Sequence, residues 1–112
     1  MPQHQDHQVV RARLLARREE LDALDRATAE DHRPIELDQT AVGRLSRMDS
    51  LQVQAMSAAS QRMREAERIR IEQALKRLDA DEYGWCVRCG EEIAPARLEA
   101  DPTLATCIRC AA

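Results

Sequence analysis

The sequence predicts a mainly α-helical protein, an antiparallel helical hairpin carrying a small metal-stapled module at its C-terminus. Three observations predict it. Charged residues make up 33% of 112 residues, and aromatics only 2%, with no Phe, a composition of long helices rather than of sheets. Apolar residues recur at three-to-four spacing through the first 80 positions. All four cysteines, both aromatics and two of the three glycines then crowd into the last 30 residues.

The first helix is expected from about residue 8 to 31. Val10, Leu14, Leu21 and Leu24 share one face among Arg and Glu, and Asp6 is placed to cap it. The phase runs on through Thr28 to a loop in which Pro34 forbids continuation. A second helix is expected from near Asp38 to about Leu78. Asp38 can cap it, with Leu37 and Val42 as an apolar staple. At about 1.5 Å per residue it spans roughly 60 Å against roughly 36 Å for the first, so the two are unequal. Val42, Leu45, Met56, Ala59, Met63 and Ala66 follow a 3.5-residue rhythm, which Asp49 and Gln52 interrupt, as Arg17 interrupts its counterpart. The short connection favours a hairpin, with Ala55, Ala58 and Ala59 allowing close approach. The stretch Arg62 to Leu78 needs cover from the terminal module, an N-terminal segment or a second chain. Its Arg and Lys residues, offset by Glu65, Glu67 and Glu72, read as a helix laced with salt bridges.

The division expected is residues 1–80 as the arm, its tip at about 31–38, and 81–112 as the module. Cys86-Val-Arg-Cys89, 17 residues, then Cys107-Ile-Arg-Cys110 is the two-pair spacing of a tetrahedral zinc site. Four thiolates close the shell and leave no position for an activated water, so one structural zinc ion is expected. Gly90 allows backbone amides to turn back toward the thiolates. His4 and His7 are close enough in sequence to share a metal but lie in a polar terminus of the kind that is usually disordered, and His32 reads as a solvated loop residue. No catalytic triad or phosphate loop appears, and the sparse aromatics argue against a roomy pocket, so no enzyme activity is expected.

With 17 Lys and Arg against 20 Asp and Glu the net charge is −3, which gives no global attraction to nucleic acid or anionic membrane. Glu91, Glu92, Glu99 and Asp101 deny the finger a basic face, so no direct sequence-specific DNA binding is expected. No apolar run or cationic leader is present, and a cytoplasmic protein is expected.

The segment Tyr83-Gly-Trp-Cys86-Val-Arg-Cys89 through Ile93-Ala-Pro-Ala-Arg97-Leu-Glu-Ala-Asp-Pro102 to Cys107-Ile-Arg-Cys110 resembles the zinc-finger module of the DksA/TraR family of bacterial transcription regulators. The resemblance implies a protein that docks on RNA polymerase and inserts its coiled-coil arm into the secondary channel. The tip it implies carries two Asp and then an Ala, and the nearest equivalents here are Asp38 and Ala41, with Asp31 and Glu36 before them, spaced differently from the best-known members. Asp101 stands where the family has Arg, and Ala111 where it has a basic residue. Two cationic contacts for a polyphosphate are thus missing, which counts against a response to the alarmone ppGpp. A second reading is a zinc-containing coiled-coil adaptor that binds another protein or itself.

Overall fold

The computed structural model describes residues 6–31 and 44–111. Three helices follow in order: α1 (His7–Asp31), α2 (Arg44–Asp79) and the short α3 (Pro95–Ala100). Among the described residues there is no strand, only an isolated bridge between Trp85 and Glu92. The molecule is elongated, 69 × 28 × 20 Å.

Helix α1 starts where the capping argument places it. The Gln8 amide donates to Asp6 Oδ1 at 2.9 Å, and the Val10 amide donates to the Asp6 carbonyl at 3.0 Å, satisfying donors that a helix start leaves orphaned. The expected cap of α2 at Asp38, and the staple of Leu37 with Val42, lie outside the described residues. Helix α2 ends at Asp79, next to the expected Leu78, but the way it closes was not legible. There Asp81 adopts a left-handed conformation, φ 59°. The Glu82 amide reaches the Arg77 carbonyl at 2.8 Å and the Asp81 amide the Leu78 carbonyl at 3.3 Å, the paired bonds of a Schellman closure built without glycine.

The helices run antiparallel, as the cross-helix ion pairs record. Arg11 meets Asp79, Arg18 meets Glu72, Asp22 meets Arg68 and Asp25 meets Arg64, so one number falls as the other rises. On this register Asp31 stands level with about residue 59. The first 15 or so residues of α2 therefore extend roughly 22 Å beyond the end of α1.

One apolar cluster lies at the opposite end. Val10, Leu14 and Leu21 of α1, Ile71, Ala74, Leu75 and Leu78 of α2, and Tyr83, Ile93 and Leu98 of the C-terminal module are buried together. The cover that Arg62 to Leu78 requires thus comes from α1 and the module at once. Arg13 donates to the Glu99 carbonyl at 3.0 Å and Tyr83 Oη to the Pro102 carbonyl at 2.9 Å, so these two side chains are satisfied at the rim of the cluster.

The 3.5-residue seam needs correction. Met56 and Met63 are 70% and 73% exposed, and Ala66 is exposed as well, so this stripe does not face α1. Leu24 is likewise half out, at 48%. Around and above Leu21 the interface is ionic: Arg17, one turn before it, grips Glu67 through Nε at 2.6 Å and Nη2 at 3.0 Å, and Asp25, one turn after it, accepts from Arg64 at 2.7 Å and from Arg68. Arg17 interrupts an apolar repeat because it belongs to a charged one.

The Arg64 and then the Arg68 guanidinium hold the Asp25 carboxyl below its ordinary range. A carboxyl depressed on folding stabilises above its unfolded pKa, about 3.9, and that contribution is lost as pH falls through the folded value. The expected outcome is faster amide exchange in residues 22–31 on acidification below about pH 4, while the apolar base is unaffected. Asp25→Asn should show the fast exchange already at neutral pH; if its exchange matches wild type, the ionic lock is not what holds the arm.

Candidate metal centre

The chain reverses twice after α2 to form two matching knuckles. In the first, the Cys86 amide donates to the Glu91 carbonyl at 2.7 Å, and the Gly90 amide returns to the Cys86 carbonyl at 2.9 Å. Gly90 has φ 75°, where a side chain is disfavoured. In the second, the Ala111 amide reaches the Cys107 carbonyl at 3.0 Å, the same four-residue return. Gly84, φ 94°, lets the Ile93 amide bond its carbonyl at 2.8 Å. Arg88 Nη1 donates to the Cys110 carbonyl at 3.5 Å and the Val87 amide to the Ala105 carbonyl at 2.8 Å, tying the knuckles together. Pro95 opens α3, which buries Leu98 under the assembly.

This folding brings Cys86, Cys89, Cys107 and Cys110 together, with all four Sγ atoms within 4.8 Å of one another. None is in a disulfide, and Cys89 Sγ lies 3.6 Å from Cys107 Sγ. Four thiolates about 2.3 Å from one tetrahedral ion stand roughly 3.8 Å apart, so the donor set fits zinc. The electrostatics fit as well. Burial disfavours the Cys86 thiolate, yet backbone amides of Cys107, Cys89 and Arg88 outweigh it and bring the thiol down to about 6. Cys110, beside the Cys107 and Cys89 sulfurs, is pushed up to about 12. Four such groups do not ionise together without a cation, and a divalent ion supplies that charge. With all four sulfurs bound to it, the ion would have no open position, so its role is to hold the fold.

The other sequence-derived sites do not join this centre. Asp31 is the last residue of α1, whereas Glu36, Asp38 and Ala41 lie outside the described residues, as do His4 and His32. His7 packs against the edge of Tyr83, ring centroids 5.9 Å apart. Glu91, Glu92, Glu99 and Asp101 are all exposed on the finger. The Asp101 carboxylate is engaged locally, accepting from the Thr103 amide at 3.0 Å and hydroxyl at 2.7 Å.

Sequence reasoning missed a groove of about 600 Å³ between α2 and residues 101–106, whose lining includes Ile69, Arg70, Gln73, Arg77 and Val87. The α2 spacing 69, 73, 77 was a readable signal, but the opposing wall exists only once the finger is folded.

A helical hairpin whose base shares its core with a C-terminal four-cysteine finger defines the class: an arm-bearing zinc-finger protein. Residues 81–112 match the prokaryotic DksA/TraR C4-type zinc finger. The fold is similar to that of transcription factor DksA2 from Pseudomonas aeruginosa, with a TM-score of 0.72 and 30% identity over 92% of this chain and 78% of that one. The chain belongs to the DksA/TraR family. Over 41 residues it is 56% identical to the RNA polymerase-binding transcription factor DksA of Haemophilus influenzae and 46% identical to that of Escherichia coli. Those alignments cover 37% of this chain and only 28% and 27% of those relatives. Among the described residues no helix is long and apolar enough to cross a membrane.

Proposed function

We propose that this chain is a non-catalytic bacterial transcription regulator that binds RNA polymerase. Its arm enters the secondary channel and brings the acidic tip residues Asp31, Glu36 and Asp38, with Ala41, near the active centre. One observation carries the reading: a DksA-like finger is fused, through a shared core, to a narrow hairpin arm, and relatives with that finger are named RNA polymerase-binding transcription factors. The arm is held together by ion pairs over its middle part, which keeps it slender and stiff without bulky side chains. In this reading the zinc ion fixes the base, residues 81–112 form the docking module, residues 1–80 the arm, and the protein works in the cytoplasm. Asp101, a carboxylate close to Arg70 in the groove wall, disfavours a bound polyphosphate, so the activity is expected to be independent of ppGpp.

The test is displacement of labelled Escherichia coli DksA from purified RNA polymerase by the zinc-loaded chain. Displacement is expected. In the same system Asp38→Asn should weaken the effect on transcription and leave displacement intact. A folded, zinc-loaded chain that does not displace would end the polymerase reading, and an unchanged transcriptional effect of Asp38→Asn would end the tip mechanism.

A further inference from the structure

One peptide group ties the four-cysteine centre to a side chain that is not a ligand. The Thr106 carbonyl accepts from Arg97 Nη2 at 3.4 Å. The amide at the other end of the same peptide unit, that of Cys107, donates to the Cys86 sulfur. Peptide bonds among the described residues are all trans, and in a planar trans unit the C=O and N–H point opposite ways, so a contact that fixes the carbonyl also aims the amide.

The Cys107 amide differs from the other two backbone donors to Cys86. Those come from Arg88 and Cys89, within the turn that Cys86 itself opens, and the return of the Gly90 amide to the Cys86 carbonyl fixes that turn. Cys107 belongs to the second knuckle, so the direction of its amide depends on what holds residue 106. The Val87 amide holds the Ala105 carbonyl at 2.8 Å, and Arg97 holds the next carbonyl along.

Arg97 is suited to this work. Of the three arginines of the finger, Arg109 pairs with Glu91 at 3.7 Å and Arg88 reaches the Cys110 carbonyl at 3.5 Å. Arg97 makes no ion pair among the described residues, and its Nε is buried without a hydrogen bond. A cation whose charge no carboxylate takes up polarises the carbonyl it meets, and a polarised peptide unit donates more strongly from its N–H. Short helix α3 sets the side chain in place, with Leu98 buried beside it and the Asp101 amide closing on the Arg97 carbonyl at 2.9 Å.

We infer that Arg97 is a positioning residue of the metal centre, which holds the Thr106 carbonyl and thereby aims and strengthens the Cys107 amide as a donor to the Cys86 thiolate. Four thiolates around one divalent ion leave a net charge of −2, and donors to sulfur spread that charge into the backbone. Arg97 thus acts on how tightly the thiolates keep their ion without touching it.

The amide proton of Cys107, read in proton–nitrogen correlation spectra of the zinc-loaded full chain, reports the contact directly. Arg97→Met keeps an apolar stem and removes the donors. It should move the Cys107 amide proton upfield and speed its exchange several-fold, leave the amides of Arg88 and Cys89 in place, and weaken zinc binding about tenfold in chelator competition. Arg97→Lys keeps the cation but offers a point contact in place of the planar fork, so it should fall between the two, within about threefold of the original affinity. A Cys107 amide and a zinc affinity that Arg97→Met leaves unmoved would overturn the inference. Should Arg97→Met fail to fold around zinc, Arg97→Lys decides alone: displacement of the Cys107 amide beyond those of Arg88 and Cys89 upholds the inference, and no displacement, or one equal across all three, overturns it.

Discussion

Cys107→Ser is expected to unfold the finger and to lower the stability of the hairpin base with it. A closed thiolate site contributes on the order of 10–16 kcal/mol of metal-coupled folding free energy in small zinc modules, as large as the whole net stability of a typical domain, about 5–15 kcal/mol. The loss reaches the hairpin because Cys86, Cys107, Ile93 and Leu98 belong to the same cluster as Val10, Leu14, Ile71 and Leu78. Beyond Leu21 the arm is tied by Asp25 with Arg64 and Arg68, which make no ion pair to the finger. Most of the far-UV helical signal should therefore persist at low temperature, while bound zinc is lost, the unfolding temperature falls and the emission of Trp85 shifts to that of a solvated indole. Extraction of zinc by a chelator should reproduce all three changes. A metal-free variant with native Trp85 emission and native unfolding temperature would contradict a structural metal.

Ile71→Ala is expected to produce the next largest effect, about 2–5 kcal/mol of destabilisation, from a lost buried side chain and the cavity it leaves. Ile71 is fully buried, in one cluster with Val10 and Leu14 of α1 and Leu98 of α3. For a domain of this size each kcal/mol moves the unfolding temperature by roughly 4–8 °C, so the midpoint should fall by about 8 °C or more. Ile69→Ala, two residues away at 53% exposure, is the control and should stay within about 0.5 kcal/mol. Thermal melts of both zinc-loaded variants decide the matter; equal effects would mean that the buried face of α2 is misassigned.

Much of this was legible because it depends on neighbours in the chain. The cap at Asp6 needs only a carboxylate two residues before an amide. The knuckles need Cys-x-x-Cys with a glycine after the first pair, so the metal ligands could be named from spacing alone. The apolar face of α1 from Val10 to Leu21 follows from helical periodicity. The Schellman closure at Asp81 was hidden, since an Asp in a left-handed conformation leaves no compositional mark as a glycine would.

What the sequence by itself determined about this protein is therefore its helices, its four zinc ligands and their chemistry, all set by local periodicity and short spacing. Which face of α2 meets α1 was decided only by the tertiary structure. The sequence offers two repeats there, a Met and Ala stripe and a charged stripe ending in Ile71, Leu75 and Leu78. Burial of Ile71 and Leu78 under both α1 and the finger selects the second, because the base is where three elements can exclude water from the same side chains. Once the base fixes the rotation of α2, Arg64 and Arg68 must face Asp25 and Asp22, and the methionines are turned to the outside.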